Sequence, residues 1–198
     1  MTKSTKAPTA LFALIFAITS VAMSADVFEI DKAHSRVGFA VKHMVISTVR
    51  GEFTDYSATI LFDENDVTKS SIEGTINVAS ITTGNERRDN HLRSGDFFDA
   101  EQYPEIKFKS EKVVKTDDGY VMHGDLTIRD VTKKVDIPFK VTGIIDDPWG
   151  NRRVGIEASL TINRFDFGVS WNQTLDKGGL VAGKEVDIEL LLEATRKI

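Results

Sequence analysis

The chain contains no cysteine, only four prolines, and no long apolar run beyond its first two dozen residues. The missing thiol excludes a disulfide, a lipidated N-terminal cysteine, a thiolate metal site and a cysteine nucleophile. It fits an exported protein and, equally, a disulfide-free domain of a reducing compartment. Positive charge is scarce: 25 Lys and Arg stand against 30 Asp and Glu, a formal −5. That balance gives the chain as a whole no electrostatic case for nucleic acid or for an anionic membrane surface. Catalytic and metal signatures are missing too. No Gly-x-Ser-x-Gly elbow occurs, and no glycine-rich phosphate loop follows a strand pattern. His34 and His43 are the histidines nearest in sequence, and their odd separation puts them on opposite faces of a regular strand. No catalytic residue and no metal ligand is therefore assigned.

What is there begins with a leader. Lys3 and Lys6 precede an apolar run from Ala10 to Ala22, broken only by Thr19 and Ser20, and small residues Ala22, Ser24 and Ala25 follow. This is the order of a secretory signal. The run falls short of the roughly 18 apolar residues that span a bilayer. The expected organisation is a signal peptide over residues 1–25, cut near Ser24/Ala25, then one domain over 26–198 without stable membrane insertion. Cleavage removes two lysines and no carboxylate, leaving 23 cations against 30 anions, a formal −7.

After the leader, apolar residues recur at every second position, the mark of strands with one buried face. Val37, Phe39 and Val41 open the series, followed by Ile72 to Val78, Ile106 to Phe108, Tyr120 to Ile128, Val135 to Val141, Val154 to Ile162 and Val186 to Ala194. Between Thr48 and Phe62 the phase changes from odd to even, which a bulge near Thr54-Asp55 would reconcile. Turn chemistry separates the runs, as in Asp63-Glu64-Asn65-Asp66, Asp117-Asp118-Gly119 and Asp147-Pro148-Trp149-Gly150. Eight antiparallel strands with one apolar face can close into a barrel or stack as a sandwich. An outer-membrane barrel would turn its apolar face outward. Polar faces dense in Lys, Asp and Glu, with aromatics at 9% and no paired girdles, count against it. Pro138 interrupts one strand pattern, where proline is confined to edges, strand starts and bulges.

One segment breaks the alternation. Asn85 to Ser94 reads as a short polar helix, followed by Asp96-Phe97-Phe98-Asp99 and Tyr103-Pro104-Glu105-Ile106-Lys107-Phe108. With Asp31, His34 and Ser35, with Gly124-Asp125-Leu126-Thr127-Ile128-Arg129-Asp130-Val131, and with Arg164-Phe165-Asp166-Phe167-Gly168, it closely resembles the YceI-like family from about Phe28 to Glu193. Arg129-Asp130 departs from the glycine-containing turn expected of relatives. The resemblance implies an all-β, eight-stranded antiparallel lipocalin-like barrel with one short helical insertion at about 85–98. It further implies a periplasmic protein that binds a polyisoprenoid lipid, with no other cofactor.

On that reading, strand parity gives an apolar cavity of Phe39, Val41, Phe53, Ile76, Phe108, Met122, Gly124, Leu126, Phe139, Ile156, Ile188 and Leu190. Gly51, Gly74, Gly124 and Ala158 fall on the same face. They either bend strands or leave room for a guest. Arg87, Arg88, His91 and Trp171 form a candidate rim for a lipid head group, while the helix's charged residues equally suit ion pairs and caps that anchor it. Gly168 to Gly183 is expected to cover one barrel end, as a packed loop or as a moving lid. The expected function is a soluble carrier or sequestering protein for a polyprenyl or isoprenoid-quinone lipid. The competing reading is a secreted enzyme acting on a hydrophobic substrate in the same cavity. A homodimer is compatible with either.

Overall fold

The computed structural model describes residues 25–176 and 178–198; the expected signal segment lies, up to residue 24, outside the described residues. Eleven strands form one sheet: β1 Asp26–Ile30, β2 Arg36–His43, β3 Ser47–Phe53, β4 Tyr56–Phe62, β5 Ser71–Asn77, β6 Ile81–Thr82, β7 Glu105–Thr116, β8 Gly119–Ile128, β9 Val131–Asp146, β10 Asn151–Asn163 and β11 Ala182–Lys197. They make eight staves. β1 and β2 are successive parts of one stave, since both pair with β11, through Ile30↔Ala194 and Leu191↔Arg36. β3 and β4 form the next stave, lying on β2 and β1, and β5 and β6 the third, lying on β4 and β3. β7 to β11 complete the ring, every pair antiparallel, and the pairing of β11 with β1 and β2 closes it. The fold is thus the all-β barrel with one helix that the resemblance implied, and α1, Glu86–Arg93, is shorter than the 85–98 expected.

The Thr48–Phe62 run is not one bulged strand. The stave turns a corner at Thr54-Asp55 because polar partners there compete with the ladder. Thr54 N donates to Ser80 O at 3.3 Å, Asp55 O accepts from Asn77 N at 2.9 Å, and the Asp55 carboxylate accepts from Lys32 Nζ at 3.0 Å. Bulges lie elsewhere, at Ser110/Lys112 and Gly155/Ile156. A Cβ on Gly155 would come within 2.3 Å of Thr142 Oγ1, so a larger residue at that bulge requires the Thr142 hydroxyl to turn away. Pro138 marks a boundary: the β9–β10 register runs from Arg152↔Asp146 to Ala158↔Phe139 and stops there, as the lost N–H requires.

One barrel end is packed shut. Phe28, Ile60, Phe62, Val154 and Ala194 are buried together, with Phe28 and Phe62 edge to face at 5.8 Å. Around this end Arg153 donates to Asp147 Oδ2 at 2.6 Å, to Asp31 Oδ2 at 2.9 Å and to Glu193. Hydrogen bonds from His34 and Arg153 hold Asp31 at a pKa of about 2. Burial would push Asp147 up, but donors from Asn151 and Arg153 outweigh it and hold it below the usual carboxylate range. Because both folded values lie below the unfolded ones, this stabilisation is complete above about pH 4 and is lost as the pH falls toward 2. Arg153→Met leaves the Asp147 carboxylate, 2% exposed, without its cation. It should cost about 3 kcal/mol in denaturant unfolding at neutral pH and move the onset of acid unfolding upward.

Candidate functional site

The other end holds α1, the β2–β3 turn, the β8–β9 turn and the β10–β11 connection, and beneath them lies a cavity of about 400 Å³ with an almost wholly apolar wall. That size falls within the range of small-molecule sites. Of the residues selected by parity, Phe39, Val41, Phe53, Ile76, Phe108, Met122, Leu126, Phe139, Ile156, Ile188 and Leu190 line it.

Gly124 does not, which corrects the expectation. A Cβ there would sit 2.5 Å from Lys109 O and 2.7 Å from Phe108 Cζ, so the Phe108 ring fills the space over Gly124 and forms the wall itself. Gly51 stands in the same relation to Phe39, whose Cζ would lie 2.4 Å from an added Cβ. Gly74 differs. Its nearest neighbours would be Ala58 Cβ and Ser57 O, both at 3.5 Å, and Gly74, Ala58 and Ala158 all line the cavity. Inward glycines therefore serve two purposes here: two seat aromatic rings, and one leaves open space.

The helix is set by its own caps. Asn85 Oδ1 accepts from Arg88 N at 3.1 Å, and buried Asp89 accepts from Thr83 N at 2.9 Å and Thr82 Oγ1 at 3.3 Å. Leu92, Phe97 and Phe98 thereby reach the cavity. Arg88, His91 and Trp171 also line it, whereas Arg87 is exposed and does not, a second correction. Several polar atoms of the rim are engaged within the protein. Arg88 donates to Thr83 Oγ1 at 2.7 Å and Thr83 O at 3.0 Å, and His91 Nε2 meets Asp96 Oδ2 at 2.8 Å. The His91 ring packs edge-on against Phe97 and Trp171, at 5.0 and 5.3 Å.

Two arginines fasten the cover. Arg129, at φ 54°, takes a left-handed turn position, with Asp130 standing where the glycine of an Asn-Gly or Arg-Gly turn was expected, and donates to Phe97 O at 3.1 Å and Gly168 O at 2.7 Å. Arg164 is 5% exposed and, among the described residues, has no carboxylate against it. Its guanidinium donates to Gly183 O at 2.8 Å, Val169 O at 2.7 Å and Ala182 O at 3.0 Å, and lies over the Phe165 ring at 4.5 Å. Burial pushes its pKa down. Periodicity could not single out Arg164, because its role comes from carbonyls that only the fold gathers around it, two of them 18 and 19 residues away. Asp31, His34 and Glu193 come close enough to share a metal ion, but Arg153 already occupies both carboxylates. Among the described residues no helix is long and apolar enough to cross a membrane.

The family model of the YceI-like domain matches residues 28–194. A UPF0312 protein of Pseudomonas aeruginosa is 38% identical over 199 residues, covering 100% of both chains. The crystal structure of a Campylobacter jejuni YceI protein shares 35% identity and a TM-score of 0.69, covering 85% of this chain and 96% of that one. A polyisoprenoid binding domain from Saccharophagus degradans shares the fold, with a TM-score of 0.61 at 14% identity over 84% of this chain and 97% of that one. The chain belongs to the YceI-like family.

Proposed function

We propose that this protein is a soluble periplasmic carrier or sequestering protein for a long-chain isoprenoid lipid, of polyprenyl or quinone type. The observation that carries this reading is the cavity itself, closed at one end and walled by apolar side chains, with Arg88 and His91 at its rim bonded in part within the protein. Such a wall selects a guest by length and shape, because it offers few polar contacts to fix a head group. Burying roughly 500 Å² of tail at about 25 cal/mol per Å² yields a gross gain on the order of 12 kcal/mol. Association and chain ordering take back several of these, leaving micromolar to nanomolar affinity. The polyisoprenoid binding reported for the Saccharophagus degradans domain, which has the same fold, supports the lipid class. The guest leaves chemically unchanged.

Trp171 lines the cavity and Trp149 lies exposed at the opposite end, and the chain has no other tryptophan. Trp149→Phe therefore leaves one reporter. A prenyl probe carrying a fluorescence acceptor should quench Trp171 emission saturably, near one probe per chain. Non-saturable quenching, or chemical conversion of the probe, would sink the carrier reading.

A further inference from the structure

We infer that the β2–β3 turn is a reversible docking tip for an anionic lipid bilayer, through which the cavity is loaded; the loading step rests on the carrier reading above. Met44, Val45 and Ile46 are 40%, 66% and 88% exposed, a run of three large apolar side chains at one hairpin tip. Their backbone is as unusual as their exposure. Met44 and Val45 have φ of 50° and 67°, and Ile46 N donates to His43 O at 3.2 Å. Two consecutive left-handed positions in a hairpin are the geometry that Asn-Gly supplies at least cost, and a β-branched residue there is an outlier. Strain kept where a cheaper sequence would fold better points to function.

The tip borders the cavity. Lys42, His43 and Val181 line the wall, and Met44 N donates to Val181 O at 2.9 Å. Charge identifies the partner. No Asp or Glu occurs from Arg36 to Gly51, although the chain as a whole is acidic, and exposed Lys42 and Arg50 flank the tip. Across the ladder, Lys184 and Glu185 offset one another. The opposite barrel end also exposes Ile145 and Trp149, but the arginines beside them, Arg152 and Arg153, are committed to Asp146 and Asp147. An anionic surface would be drawn instead to Lys42 and Arg50, presenting the cavity to the bilayer. A three-residue tip is far smaller than the roughly 800 Å² per partner of a stable protein interface, which argues against a second copy as its occupant. Three apolar side chains with nearby cations suit weak, reversible attachment.

The test uses vesicles of phosphatidylethanolamine with phosphatidylglycerol, and of phosphatidylcholine alone. Wild-type protein should sediment with the first, less so as salt rises, and weakly with the second. Ile46→Asp should lower the bound fraction about tenfold and slow transfer of a prenyl probe out of those vesicles, while uptake of the same probe from dilute solution is unchanged. Met44→Asn with Val45→Gly should raise the melting temperature and lower vesicle binding together, a pairing that misfolding cannot produce. Equal vesicle binding by wild type and both variants overturns the inference, as does absence of wild-type binding. A dimer seen by light scattering that Ile46→Asp dissociates, without vesicle binding, assigns the tip to a second copy and also overturns it. Vesicle binding without probe uptake from any source instead sinks the carrier reading and leaves the docking tip standing.

Discussion

Gly74→Leu should abolish binding of a prenyl probe while leaving the protein as stable as before. The argument is geometric. A Cβ at Gly74 meets only Ala58 Cβ and Ser57 O at 3.5 Å, ordinary contact, and Gly74 lines the cavity, so a larger side chain should extend into that space. Replacing a strand glycine also removes backbone freedom from the unfolded chain, worth about 0.5–1 kcal/mol in favour of the fold. The lost volume is the guest's, so affinity should fall at least about a hundredfold, or about 2.8 kcal/mol. Gly124→Leu has the opposite signature. The Phe108 ring must leave its seat and Lys109 O stands at 2.5 Å, so overpacking should cost about 1–3 kcal/mol or more. Thermal unfolding and probe titration on both variants separate the cases. A stable Gly74→Leu that binds as wild type, or one that is strongly destabilised, would mean that the space beside Gly74 is not the guest's.

Arg164→Leu should be among the most destabilising substitutions at the covered end, by about 4 kcal/mol. Three backbone carbonyls, of Val169, Ala182 and Gly183, lose their donor at once, and hydrogen bonds to a charged group are worth about 1.5–3 kcal/mol each. The apolar replacement recovers part of this by sparing the burial of a charge. Lysine should not substitute, since one ammonium cannot span the three directions of the guanidinium fork. Denaturant unfolding measures the loss, and hydrogen exchange at Val169 and Val181 should show the cover opening ahead of the barrel. A change within about 1 kcal/mol, with those amides still protected, would contradict the role given to Arg164.

Residue parity made the inward face legible because the side-chain period of a strand is two, and most of the wall follows from it. Parity states which way a residue points, not what stands in front of it. Gly124 and Gly74 share that face and look alike in sequence, yet one lies under the Phe108 ring and the other beside open space. The same limit explains the stave that turns at Thr54-Asp55: its partners, Lys32, Asn77 and Ser80, come from distant segments. β1 leaves little trace in the sequence because a five-residue strand next to the leader offers little alternation, although Phe28 within it is fully buried. The polar rim mixed both of its readings. Arg88 and His91 face the cavity, as a head-group site would need, and part of their hydrogen-bonding capacity is spent on Thr83 and Asp96, as anchoring requires. Arg164 and the strained Met44-Val45 turn carry no sequence period at all, and only the folded chain brings them to the cavity mouth.

The most direct test of the central claim is organic extraction of the full chain, expressed with its leader in a bacterial host and purified folded without detergent, followed by mass spectrometry of the extract. The carrier account predicts a long-chain isoprenoid lipid near one per protein, absent from Gly74→Leu prepared in parallel. Folded wild-type protein that yields no isoprenoid lipid, or yields as much as Gly74→Leu does, would contradict it.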